Sequence, residues 1–256
     1  VDRLIDSHCH LDFPVFADQL DNVLQVAKEV GVTEFLLPAT TYQSWQTIYE
    51  LTIRYPQIRA AYGIHPYFLA QETLASVDEL EQFAATHNAV AIGETGLDFW
   101  PDQIHRDTQI HFLEKQLQVA ENLRLPVILH ARKSYDELYA LVKKYRIPSG
   151  VVHAFTGSLV QAKRFIDLGF VIGIGGVITY PRAQKTRQLA MSLTNNDFIL
   201  ETDAPDMPLF GYQGQVNMPA QIVKTAEVLA DLRSQSIVDV AHHSRNNVLR
   251  TFPKWY

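Results

Sequence analysis

The sequence predicts a single-domain (β/α)8 barrel, a TIM barrel, and three observations carry that prediction. Eight short apolar runs recur along 256 residues, each followed by a turn and an amphipathic, helix-like stretch. Several of the runs, such as Val127-Ile128-Leu129, would be apolar on both faces, as parallel strands covered from both sides must be. Eight such units in about 250 residues is the usual size of this barrel. No stretch rich in Pro, Gly or Ser divides the chain, so one domain over residues 1–256 is expected. An open doubly wound sheet shows the same alternation. It usually carries Gly-x-Gly-x-x-Gly after its first strand, whereas the glycine cluster here, Gly173-x-Gly175-Gly176, lies far downstream.

Taken in order, the expected strands cover residues 3–7, 34–39, 59–64, 89–93, 126–129, 150–152, 170–174 and 198–202. Asp18 is placed to cap a helix ending near Gly31, and Ser158 one ending near Gly169. Ser76-x-x-Glu79 and Ser134-x-x-Glu137 have the spacing of capping boxes, in which each side chain takes up a backbone N–H the helix leaves free.

In such a barrel the chemistry gathers at the C-terminal ends of the strands. The first run leads into Asp6-Ser7-His8-Cys9-His10. In extended chain, residues i and i+2 share a face, so His8 and His10 project together and could grip one metal ion. The third run leads into His65, the fourth ends at Glu94, the fifth at His130, the sixth at His153, and the eighth reaches Asp203. The imidazoles of His8, His10, His130 and His153 and the two carboxylates are costly to bury at one rim unless something pairs them, and a divalent metal cluster does so. A mixed imidazole and carboxylate set suits Zn²⁺, Mn²⁺, Co²⁺ or Fe²⁺ better than Mg²⁺. Cys9 should face away as a small buried apolar residue. His87, His105, His111, His242 and His243 fall in helical or loop stretches and are expected to be structural or superficial.

Composition narrows the function further. A net charge of −6 excludes broad electrostatic nucleic-acid binding, so such a contact must be local or metal-mediated. The basic clusters Lys143-Lys144-x-Arg146, Lys163-Arg164 and Arg182 to Arg187 are expected to be solvated helix faces. No run approaches the ~18 apolar residues of a membrane span, and, with no basic-then-apolar stretch at its start, no signal peptide is expected. One cysteine cannot form an internal disulfide and fits a reducing cytoplasm. No obligate protein partner is evident.

The blocks Asp6-Ser7-His8-Cys9-His10-Leu11-Asp12, Gly63-Ile64-His65-Pro66, Ile92-Gly93-Glu94-Thr95-Gly96-Leu97-Asp98, Pro126 to Arg132, Val152 to Ser158, Gly169 to Gly176 and Leu200-Glu201-Thr202-Asp203-Ala204-Pro205 resemble, in order, those of TatD-type metal-dependent hydrolases. The stretch Asp206-Met207-Pro208-Leu209 is most similar to the YjjV-like branch. The resemblance implies an amidohydrolase-like TIM barrel and a metal-dependent deoxyribonuclease. It implies two divalent ions per chain: His8 and His10 on one, His130 and His153 on the other, Glu94 serving both, and Asp203 on the first, facing the attacking water. Zn, Mn, Co or Mg are all compatible, Mg²⁺ being a common support for the family. Two departures are visible. His65-Pro66-Tyr67 stands where His-Pro-His is frequent, and the loop Gly211 to Pro219 lacks a basic residue and a glutamate common there.

The expected reaction is therefore hydrolysis of DNA or another phosphodiester, acting from an end, since few phosphate contacts tolerate the negative charge. Asp203 would orient the water and take its proton, with Glu94 as its partner in catalysis. His65 and Arg132 are candidate phosphate contacts. The alternative is an amidohydrolase-type enzyme cleaving a small amide, lactone or ester on the same metals. A metal-storage protein would have no need of Asp203.

Overall fold

The strands follow one another around the sheet in sequence order, all parallel: β1 Leu4–Asp6, β2 Val32–Pro38, β3 Ile58–Tyr62, β4 Ala91–Asp98, β5 Val127–Arg132, β6 Gly150–Val152, β7 Phe170–Ile174 and β8 Phe198–Leu200. The computed structural model describes residues 3–100 and 105–256. The barrel seam is closed by Ser7 N–H to Leu200 O (3.2 Å) and Asp203 N–H to His8 O (2.9 Å). The buried Asp6 carboxylate reinforces it, accepting from Thr202 N–H (3.0 Å) and the Thr202 hydroxyl (2.5 Å). A TIM barrel is the observed fold, as the alternation of apolar runs predicts.

Side-chain alternation sorts the core into two parts. Ile5, Leu36, Ala61, Ala91, Ile128, Val151, Val171 and Ile199, one from each strand, pack together inside the barrel. Their neighbours in sequence, such as Phe35 and Leu37 or Val127 and Leu129, belong to the larger core shared with the helices. Helix Ile237–Thr251 and the residues after it place Val248, Phe252 and Trp255 against the inner cluster. That end of the barrel is filled with apolar side chains, which leaves the strands' C-terminal ends for chemistry. Glu34 on β2 holds the tail by accepting from Arg245 Nη1 and Trp255 Nε1, both at 2.6 Å.

Local expectations meet the structure unevenly. Ser158 caps helix Leu159–Asp167 through a reciprocal box with Gln161. Ser134 does stand at the start of helix Tyr135–Val142, but it caps nothing, because its hydroxyl donates to Leu97 O (2.7 Å) and ties the helix to β4. Ser76 lies inside helix Leu74–Asp78, which starts after Thr73. Asp18 is one residue short of the cap position, which Gln19 occupies. The largest difference is β4, expected to end near Glu94. It runs on to Asp98 because Thr95 to Asp98 pair with Leu129 to Arg132. No helix among the described residues is long and apolar enough to cross a membrane.

Candidate metal centre

The C-terminal ends of the strands bring together every polar residue singled out above except Arg132, which stands at the rim. His8 and His10 follow β1, His65 follows β3, His153 follows β6 and Asp203 lies just beyond β8. Glu94 and His130 sit within β4 and β5 rather than at their ends. His8, His10, His65, Glu94 and His153 are buried.

Glu94 is the hub, and its two oxygens face different partners. Oε2 faces His8 Nε2 at 3.1 Å and His10 Nε2 at 3.7 Å. Asp203 Oδ1 closes that side, 3.5 Å from His8 Nε2 and 3.4 Å from His10 Nε2. Oε1 faces His153 Nε2 at 2.8 Å, His130 Nδ1 at 3.1 Å and His65 Nε2 at 3.2 Å. The two His Nε2 atoms on the first side are only 3.3 Å apart. Each turns its nitrogen toward the same two carboxylates, while the Nδ1 atoms of both rings are buried without a hydrogen-bond partner.

This arrangement draws in positive charge. Burial opposes a charge on His10, yet Asp203 and Glu94 overcome it and raise the ring to about 9. Burial opposes it on His153 as well, and the Glu94 carboxylate raises that ring to about 10. His8 goes the other way, lowered to about 4 by burial and by His153. Glu94 stays well below the usual carboxylate range despite burial, because imidazoles surround it. Converging imidazole nitrogens and carboxylate oxygens of this kind form a donor set for divalent transition metals. His8, His10 and Glu94 offer ligand atoms within 4.8 Å of one another, and so do His65, Glu94 and His130.

Within the second group His65 plays a different part. Tyr67 N–H donates to His65 Nδ1 (3.0 Å), so the neutral ring carries its proton on Nε2. Burial lowers the His65 pKa, which keeps the ring neutral. A protonated Nε2 donates a hydrogen bond and does not ligate a cation. His130 is the opposite case. Its Nε2 faces Asp98 Oδ2 at 3.1 Å, leaving Nδ1 for the centre. A carboxylate behind a ligating histidine fixes its tautomer and raises its basicity.

The family model for TatD-related DNases matches residues 5–253. The chain belongs to the TatD family. It is 42% identical over 253 residues to the Escherichia coli uncharacterized metal-dependent hydrolase YjjV, with 98% of each chain covered. An uncharacterized metal-dependent hydrolase of Haemophilus influenzae is 38% identical over 244 residues, covering 91% of this chain and 93% of that one. The crystal structure of YjjV, a TatD homolog from Escherichia coli, superposes with a TM-score of 0.94 at 41% identity and 98% coverage of both chains. Membership makes this chain a metal-dependent hydrolase.

Two TatD departures take on a structural meaning. Tyr67, where a second histidine is frequent, is 47% exposed at the mouth of the site. In the loop after Asp203, buried Asn217 donates to Thr202 O and Asp206 O, both at 2.9 Å, and so pins the loop beside the centre. Sequence reasoning passed over Asp98 and Glu201. Asp98 lies four residues after Glu94 in the same strand, a spacing that returns a side chain to the same face. Glu201 is buried behind His153, with Oε1 accepting from Ala154 N–H (2.5 Å) and lying 3.8 Å from His153 Nδ1. A Cβ on Gly173 would come within 2.5 Å of Glu201 Oε2, so the glycine cluster makes room for a carboxylate rather than for a phosphate. Cys9 is buried, as expected, with Sγ toward Leu36 O. His105, His111 and His242 are exposed, and His87 packs on Phe83. Among the basic clusters, Arg164 pairs with Asp136, Lys144 lies near Glu114, and Arg187 donates to Ile178 O.

Proposed function

We propose that the chain is a divalent-metal-dependent phosphodiester hydrolase that acts on DNA from an end. The observation that carries this reading is the division of Glu94, one oxygen toward His8 and His10 and the other toward His130 and His153. In this reading His8, His10 and Asp203 hold one ion, His130 and His153 a second, and Glu94 serves both. Zn²⁺, Mn²⁺, Co²⁺ or Mg²⁺ so held would acidify water and polarise a phosphoryl oxygen.

The chain's own groups have distinct tasks. Asp203 is held by its backbone N–H to His8 O and keeps 16% of its side chain exposed to the cleft. It orients the attacking water and accepts its proton. His65 Nε2, whose proton faces Glu94 Oε1 at 3.2 Å, would turn that hydrogen bond to a phosphoryl oxygen when substrate is bound. Arg132 lines a cleft with His130, His153 and Asp203 and can fork two phosphate oxygens. End action follows from charge: the net −6 leaves few cations to track a long backbone. The single, buried cysteine suits a cytoplasmic setting.

The test is a substrate panel on metal-loaded protein: single-stranded and duplex DNA, a simple phosphodiester, an amide and a lactone. DNA and the phosphodiester should be cleaved, with mononucleotides released from DNA. Turnover of the amide or lactone without any phosphodiester cleavage would overturn the reading in favour of amidohydrolase chemistry.

A further inference from the structure

Two clefts meet at His130, His153 and Asp203, and their walls differ in kind. One, about 370 Å³, carries Arg132 and Thr156. The other, about 350 Å³, is walled by Phe13, Tyr67 and Phe68 and has Asp206 on its lining. Among the described residues, no Lys or Arg lines this second cleft. Away from the metal-ligand side chains its walls offer a phosphate no guanidinium or ammonium, and Asp206 would repel one.

The rings of the second cleft are tied to the centre. Phe13 stacks on His10 with centroids 4.9 Å apart and planes at 23°. Phe68 meets His65 edge-to-face at 5.8 Å and Tyr67 at 5.2 Å. Phe13 and Phe68 are half-buried and Tyr67 is exposed. Three partly exposed rings beside a charged centre form an apolar, planar-walled slot. A neutral flat group covers such a surface without needing a counter-ion.

We infer that this slot takes the nucleobase of the terminal nucleotide by stacking, while the rest of the strand leaves over Arg132. The inference rests on the phosphodiesterase reading and adds to it a subsite, its ligand class and a direction for the chain. It also gives Tyr67 a purpose: an aromatic face where the family frequently has an imidazole. Stacking on aromatic side chains tolerates any base, so the slot should show weak sequence preference.

The experiment uses two oligonucleotides identical except at their termini, one with bases there and one with abasic tetrahydrofuran units at both ends. Wild-type protein should cleave the base-bearing ends with a higher kcat/KM, by roughly 5- to 150-fold, the range of one base–aromatic stack. Tyr67→Ala and Phe68→Ala should remove that preference by slowing only the base-bearing substrate, and Phe68→Tyr, which keeps a ring, should retain it. Calorimetry on Asp203→Asn supplies a readout apart from turnover: thymidine 5′-monophosphate should bind more tightly than deoxyribose 5-phosphate. Equal cleavage of both ends by wild type, or a preference that the Ala variants leave intact, would overturn the subsite and leave the phosphodiesterase standing. A fall on both substrates in the Ala variants would overturn it too, since a ring serving only the fold or the metals acts on both. Failure of wild type to cleave any phosphodiester would overturn the subsite and the proposed function together.

Discussion

Removing the Asp98 carboxylate should weaken metal binding although Asp98 is not itself a proposed ligand. Asp98 Oδ2 lies 3.1 Å from His130 Nε2, and its side chain is 6% exposed. Burial raises the Asp98 pKa, but the His130 ring more than offsets this and holds it below the usual aspartate range. The bond is therefore charge-assisted at neutral pH, a class worth about 1.5–3 kcal/mol. Asp98→Ala removes all of it and should weaken metal affinity by roughly 10- to 100-fold, the usual cost of deleting such a partner. Asp98→Asn keeps an acceptor but loses the charge, a loss of about 1 kcal/mol or roughly 5-fold. Competition of metal-stripped protein with a chelating dye reads both values. Asp136→Ala, at an exposed pair with Arg164, serves as the control. Unchanged affinity for every bound equivalent in Asp98→Ala would refute the role assigned to the pair.

Three further outcomes are expected. Asp203→Asn should lower turnover by at least ~100-fold at matched metal occupancy, the low end for a lost general base; near-normal rates at full occupancy would assign the proton to another group. Arg132→Ala should lower kcat/KM for DNA by roughly 10- to 150-fold and barely affect any neutral substrate, as loss of one charge-assisted contact requires; equal losses on both would remove Arg132 from phosphate binding. Glu34→Ala should cost about 2–3 kcal/mol in urea unfolding at pH 7 by freeing half-buried Arg245 and buried Trp255. Burial pushes the Glu34 pKa up, but its bonds to Trp255 and Arg245 hold it lowered, so its contribution is full above the usual glutamate range and fades as pH falls below about 4. A deficit that persists undiminished at pH 3 would contradict that linkage.

The barrel was legible because buried parallel strands must be apolar on both faces, and runs such as Val127 to Leu129 show it directly. What the pattern hid was the far half of β4. A reading by hydropathy stops at Glu94, while the strand continues because imidazoles satisfy the carboxylates of Glu94 and Asp98. The same blind spot concealed Asp98 and Glu201, which are acids buried behind histidines rather than acids facing solvent. Helix starts were read less well. Ser134 matches its box in sequence, but the hydroxyl is spent on Leu97 O, a tertiary contact invisible to local spacing. His65 could be placed near the site from its block, whereas its donor role depends on the Tyr67 N–H that fixes its tautomer. The gathering of His8, His10, Glu94, His130, His153 and Asp203 was legible because barrel topology fixes which ends of the strands converge.

The central claim is that Glu94 joins two sets of imidazoles into one divalent centre. The most direct measurement is elemental analysis of protein loaded with Mn²⁺ or Zn²⁺ at neutral pH and freed of excess metal, for wild type, His8→Ala, His130→Ala and Glu94→Gln. Wild type should hold close to two equivalents per chain and each histidine variant close to one, and Glu94→Gln should lose metal from both sites. Two equivalents retained in Glu94→Gln, or no metal lost in either histidine variant, would contradict it.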